Sequence, residues 1–175
     1  DVPWLVCASY SRPHSPLTAP GRYVRRYRDK VPPPEVGRVA DDQLEPFAKR
    51  LEFELTDEQT MRAREGYYAC VDYVDDCIAA LLDGLRLAGC LDNTCIVYAS
   101  DHGDMAGEHG LWWKRTYYEA SARIPLLVSG PGIDPNGSES TPVELVDLFP
   151  TFCDWAGVET PEGLDAMTEM LLVSP

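Results

Sequence analysis

Thr94-Cys95-Ile96-Val97-Tyr98-Ala99-Ser100-Asp101-His102-Gly103-Asp104 is the stretch on which the fold turns. Its first six residues are β-branched or apolar without alternation, the pattern of a strand buried on both faces. The run stops at Asp101-His102-Gly103-Asp104, and open α/β sheets gather their ligand sites just beyond strand ends of this kind. A carboxylate oxygen and an imidazole nitrogen side by side can both address one divalent cation, and Gly103 lets the backbone turn sharply. Taken alone, the same text also fits a plain polar loop in which Asp101 caps the next turn.

Upstream, Thr56 and Gln59 have capping-box spacing and Asp57 and Glu58 fall in the first turn, so a long helix is expected to start there. Tyr67, Val71, Val74, Ile78, Leu81, Leu82 and Leu85 recur at spacings of three and four, giving one apolar face, and Gly89 is a natural stop. Asp72, Asp75, Asp76 and Asp83 then read as the solvated face of that helix rather than as metal ligands. Downstream, Ile124-Pro125-Leu126-Leu127-Val128 predicts a second buried strand ahead of the turn cluster Gly130-Pro131-Gly132, and residues 143–155 a helix interrupted by Pro150 and ended near Gly157. Near the start, Pro3-Trp4-Leu5-Val6-Cys7-Ala8-Ser9-Tyr10 predicts a buried strand emptying into the loop Ser11-Arg12-Pro13-His14. Proline and charge fill residues 16–46, with Arg22, Arg25, Arg26 and Arg28 close together, and an irregular surface stretch is expected. Helices and buried strands together predict an α/β fold with a parallel sheet, and no internal repeat or second domain is visible.

Composition narrows what such a chain can bind. With 175 residues, 45% of them hydrophobic and 25% charged, it can bury one sizeable core. A net charge of -14, from 29 acidic against 15 basic residues, argues against nucleic acid or anionic lipid as partners. An anionic substrate would have to be held by a few local cations or a metal. No apolar run approaches the roughly 18 residues of a membrane span. The six cysteines are scattered, none in C-x-x-C spacing and none spaced with histidines as zinc ligands would be, so buried thiols are expected.

All three histidines, His14, His102 and His109, fall in predicted loops, and Lys114 follows His109 in a tryptophan-rich stretch. The string from Tyr98 to Gly132 contains Ser100-Asp101-His102-Gly103-Asp104-Met105-Ala106-Gly107-Glu108-His109-Gly110-Leu111-Trp112-Trp113-Lys114 and later Ala122-Arg123-Ile124-Pro125-Leu126-Leu127-Val128. It resembles the sulfatase family of the alkaline phosphatase superfamily, most closely its choline-sulfatase-like and bacterial arylsulfatase-like members. Gly66-Tyr67-Tyr68-Ala69-Cys70-Val71-Asp72-Tyr73, Ser11-Arg12-Pro13-His14-Ser15-Pro16 and Val143-Glu144-Leu145-Val146-Asp147-Leu148-Phe149-Pro150-Thr151 are similar to the family as well. The likeness covers most of the chain and is loosest over residues 31–50 and after Gly157.

The resemblance implies an alkaline-phosphatase-like α/β fold of which residues 1–175 are the C-terminal portion, beginning midway through a larger enzyme. It implies Asp101 and His102 as ligands of one divalent metal, with calcium the first expectation and manganese or magnesium the alternatives. It also implies Lys114 as a cation that binds sulfate and His14 as a second sulfate contact near the leaving oxygen. His109 is open between supporting the loop and touching substrate, and Lys114 has the alternative of a surface lysine. Arg123 and Glu119 are expected to pair within the scaffold. Two ligands alone would leave most of a metal's shell unfilled, so weak binding is expected of this chain by itself.

The family's nucleophile, a formylglycine made within a Cys/Ser-x-Pro/Ala-x-Arg motif, has no counterpart among the cysteines and serines here. Ala40-Asp41-Asp42-Gln43 looks like the family's paired aspartates, but the triple proline Pro32-Pro33-Pro34 before it is no central strand, and the likeness is taken as accidental. The expected activity is hydrolysis of small sulfate monoesters once the missing portion completes the site, with homo-oligomers allowed and either cytoplasm or periplasm compatible. A phosphonate or phosphate ester hydrolase of the same superfamily is the nearest rival, and a non-catalytic protein that binds a metal or anion is the other.

Overall fold

Proline at position 20 opens the first helix of the computed structural model, α1 (Gly21–Tyr27), within a structure that describes residues 3–40, 44, 46, 48 and 53–164. The irregular stretch expected over residues 16–46 is therefore partly helical. The reason is tertiary: Tyr23 is fully buried, packs at 5.4 Å from the Tyr73 ring, and donates its hydroxyl proton to Asp76 at 2.7 Å. Arg26 donates to Asp72 at 2.8 Å on the same seam. Both aspartates sit on α2 (Asp57–Leu87), so two of the four acidic residues assigned to its solvated face, Asp72 half-buried and Asp76 exposed, also anchor α1.

Helix α2 starts as its capping chemistry dictates. The Thr56 hydroxyl accepts from the Gln59 backbone N–H, and the Gln59 side chain accepts from the Thr56 N–H. At the other end Gly89 takes a left-handed φ of 69°, a conformation that ends helices at little cost for glycine. The buried face differs from the expected apolar stripe. Arg64, Glu65, Gly66, Ala69 and Cys70 are buried, while Val71 and Leu81 are exposed. Small residues allow close approach there, and the buried charges are paired, which a hydropathy pattern does not register.

The two strands are β1 (Ile96–Ala99) and β2 (Leu126–Ser129). They pair antiparallel, with Ile96 opposite Ser129 and Ala99 opposite Leu126, so the expected parallel arrangement is corrected. A buried, non-alternating run carries no information on strand direction. The strands are also less buried than predicted: Tyr98 and Leu127, register partners, are both exposed. Residues 3–10 are corrected too. They form no strand, and Trp4, Leu5 and Val6 lie exposed, because no described strand offers their backbone a ladder.

In chain order the short α3 (Glu119–Ala122) follows β1 and precedes β2. The helix predicted over residues 143–155 is a turn of 3-10 helix, Leu145–Asp147, followed by α4 (Leu148–Ala156). Pro150 does not interrupt α4, because it lies in the first turn, where a backbone N–H has no intrahelical acceptor. Gly157 ends it with φ 66°. All six cysteines are thiols, but Cys7 and Cys95 are exposed rather than buried.

The described residues form two compact units, one within Asp1–Leu91 and His102–Ile124, the other within Asp92–Asp101 and Pro125–Pro175. In the first, Leu44, Ala48, Met105 and Leu111 make a buried cluster with Val39, Tyr118 and Ala120 against it. The second holds the β1–β2 pair and α4. No helix among the described residues is long and apolar enough to cross a membrane. Asp41, Asp42 and Gln43 lie outside the described residues.

Candidate functional site

Strand β1 ends at Ala99, and Asp101 follows it as an exposed residue in a bend, where the sequence placed it. From His102 onward the chain is held by backbone contacts. The Gly103 N–H donates to the Ser121 carbonyl at 2.8 Å, and a Cβ at Gly103 would stand 2.1 Å from the Ala120 carbonyl oxygen. Glycine is required here by the approach of α3, and not by a left-handed turn, because Gly103 is not among the positive-φ glycines.

The half-buried His102 donates from Nδ1 to the Gly103 carbonyl at 2.7 Å. The exposed His14 does the same toward the Ser15 carbonyl at 2.9 Å. A carbonyl only accepts, so Nδ1 carries the proton and the lone pair of each neutral ring is on Nε2. The two rings approach edge to face with centroids 6.3 Å apart. Two histidines 88 positions apart in sequence, numbers 14 and 102, are thus brought to one place.

The residue before Lys114 is bonded to the His14 loop. Trp113 donates its indole N–H to the Ser15 hydroxyl at 2.7 Å, tying the residue before Lys114 to the residue after His14. The Asp104 carboxylate accepts from the backbone N–H of Ala106 at 2.9 Å and of Trp113 at 3.1 Å, and the Met105 N–H donates to the Trp113 carbonyl at 2.7 Å. Trp113 and Arg115, which flank Lys114, have φ of 67° and 81°. Left-handed non-glycine residues are strained and persist only where surrounding contacts fix them. Asp104, Trp113 and Ser15 carry this geometry and were not singled out from the sequence for it; an Asp two residues before an Ala-Gly turn was the available signal.

His109 has φ 57°, donates its N–H to the Val36 carbonyl at 2.9 Å, and stacks on Tyr118 with centroids 4.2 Å apart and an interplanar angle of 18°. One face of its ring is therefore taken up by packing. Arg123 pairs with Glu119 at 3.7 Å on an exposed surface, as expected. Among the described residues no group of three or more His, Cys, Asp or Glu is placed to hold a metal ion.

The sulfatase family profile matches residues 1–158. The chain belongs to the sulfatase family. It is 39% identical to the choline-sulfatase of Rhizobium meliloti (strain 1021) over 168 residues, 91% of this chain and 33% of that protein. It is 37% identical to arylsulfatase K of Bos taurus over 70% of this chain and 23% of that protein. Among solved structures, the phosphonate monoester hydrolase of Silicibacter pomeroyi superposes with a TM-score of 0.82 at 34% identity, over 90% of this chain and 35% of its own. That of Agrobacterium radiobacter gives 0.84 at 28% identity, over 97% and 38%. The sulfatase-family chain thus has the alkaline-phosphatase-like α/β fold and spans about a third of the length of these relatives.

Proposed function

We propose that this chain carries the anion-binding and leaving-group side of a site that hydrolyses small sulfate monoesters, completed by parts of the family fold that the 175 residues do not span. The observation that carries the reading is the meeting of the His14 and Lys114 loops: the 2.7 Å bond from Trp113 to Ser15 joins their neighbours, and the His14 ring lies 6.3 Å from the His102 ring.

In this reading His14 is the proton donor to the leaving oxygen. Its Nδ1 is already bound to a carbonyl, so the ring is oriented and the exchangeable proton of the imidazolium is the one on Nε2. Lys114 neutralises charge on the non-bridging sulfate oxygens, and its rigid, left-handed flanks keep the backbone beneath it from relaxing away as that charge builds. His109 supports the loop from its stack on Tyr118.

Asp101 and His102 offer one carboxylate and one imidazole, donors that suit calcium, magnesium or manganese as part of a larger shell and do not by themselves fill one. Such an ion would supply Lewis-acid charge to the sulfate oxygens. A formylglycine nucleophile belongs to the remainder of the fold.

A second reading has specific support. Two solved phosphonate monoester hydrolases match over 90% and 97% of this chain, and the same lysine and histidine would suit a phosphonate ester. Kinetics of the full-length protein on an aryl sulfate and on an aryl phosphonate monoester distinguish the two. Faster turnover of the sulfate supports the first reading, and faster turnover of the phosphonate the second.

A further inference from the structure

Arg64 is a buried cation that neither the anion-binding residues nor the core explains. Its side chain is 7% exposed and its guanidinium is used on several sides at once. Nε donates to the Pro32 carbonyl at 2.9 Å, one terminal nitrogen to the Pro33 carbonyl at 3.4 Å, and the other to the Ala106 carbonyl at 2.7 Å. The last nitrogen also lies 3.4 Å from the Glu108 carboxylate.

Glu108 extends the grip. Its two oxygens accept from the backbone N–H groups of Glu35 and Val36 at 3.0 and 2.9 Å, and the Val36 carbonyl accepts from the His109 N–H. Residues 32–36 are thereby laid along residues 106–109 as a strap. Ala106 and His109 both have positive φ, so this piece of loop is strained where Arg64 and the strap hold it. His102 stands just before it and Lys114 just after it.

We propose that Arg64 is a positioning residue for the reaction, fixing the Ala106 carbonyl and so the loop that spaces His102 from Lys114. The role rests on the hydrolytic reading above. The planar fork aims three separate nitrogens at carbonyls of two segments in fixed directions. Lysine keeps the charge but gathers its three N–H donors on one nitrogen, so it cannot span the same set of acceptors.

The test is kinetic. In the full-length protein assayed on an aryl sulfate and an aryl phosphonate monoester, Arg64→Lys is expected to lower kcat for the better substrate on the order of ten- to a hundredfold, since displacements of about 1 Å cost this much. KM is expected to stay within about threefold, because the groups that bind the anion remain. Arg64→Ala should lose as much and recover part of its kcat when guanidinium is added at sub-denaturing concentration, with the folded fraction read by circular dichroism unchanged by the addition, which separates recovered positioning from recovered folding. In the 175-residue chain, hydrogen exchange of amides 105–113 should quicken in Arg64→Lys while the middle of α2 stays protected, which shows that the variant is folded. An active wild type with unchanged kcat in Arg64→Lys, or a loss that tracks only the folded fraction, overturns the positioning role alone. A wild type that hydrolyses neither ester overturns the hydrolytic reading, and the positioning role with it.

Discussion

The indole Nε1 of Trp113 donates to the Ser15 hydroxyl at 2.7 Å, across 98 positions of sequence. That single bond joins the loop of His14 to the loop of Lys114. Because Trp113 also donates its backbone N–H to Asp104, it ties both to the segment that begins at His102.

The bond is expected to be energetically real. A double-mutant cycle of Ser15→Ala and Trp113→Phe, read by urea unfolding, should give a coupling energy of about 0.5–1.5 kcal/mol, the range of a neutral hydrogen bond. Additive single-variant effects would mean that the two loops are joined by something else.

Two glycines of the same helix should respond with opposite sign to alanine. Alanine is favoured over glycine in a helix by about 1 kcal/mol, and a Cβ at Gly84 meets nothing within 4 Å, so Gly84→Ala should stabilise by up to that amount. At Gly66 a Cβ would stand 2.5 Å from the Leu17 carbonyl oxygen, a backbone atom. Gly66→Ala should therefore destabilise by about 1–3 kcal/mol, the usual penalty of overpacking. Urea midpoints that moved in the same direction would contradict the packing of residue 17 on α2.

Acid should weaken the first unit through Glu65. Burial pushes this carboxyl up, but the Asp29 N–H at 2.7 Å and the Arg62 guanidinium outweigh burial and hold it below the ordinary glutamate value. A carboxyl lowered in the folded state contributes stability that is complete above the unfolded value, about 4.3, and is lost as pH falls through the lower folded value. Glu65→Gln should thus be less stable than wild type at pH 6, with the gap closing below about pH 4. A gap that persisted unchanged into acid would remove Glu65 from the account.

How much of this was legible in the sequence depends on whether a signal is local. The capping box at Thr56, the stop at Gly89 and the position of Asp101 just past β1 each rest on residues a few positions apart, and they appear in the structure where the sequence puts them. Helix α1 was missed because its cause, Tyr23 seated against Asp76 and Tyr73, lies some fifty positions away. The antiparallel pairing of β1 with β2 was missed because an apolar run does not encode direction. At the candidate site, the chemical residues His14, His102 and Lys114 stand out by type and motif. The residues that hold them, Ser15, Asp104, Trp113 and Arg64, do not, because their role lies in hydrogen bonds to other parts of the chain and not in their own reactivity.

The most direct measurement is steady-state turnover of an aryl sulfate by the full-length protein, comparing wild type with Lys114→Ala and His14→Ala. The account predicts hydrolysis by the wild type and a fall in kcat on the order of a hundredfold in Lys114→Ala, by analogy with the loss of an oxyanion-stabilising donor. His14→Ala should be impaired most on esters with poor leaving groups, which need the proton it donates, and both variants should unfold at the same urea midpoint as wild type. Wild-type turnover that neither substitution lowers would contradict the assignment of these two residues to the sulfate site.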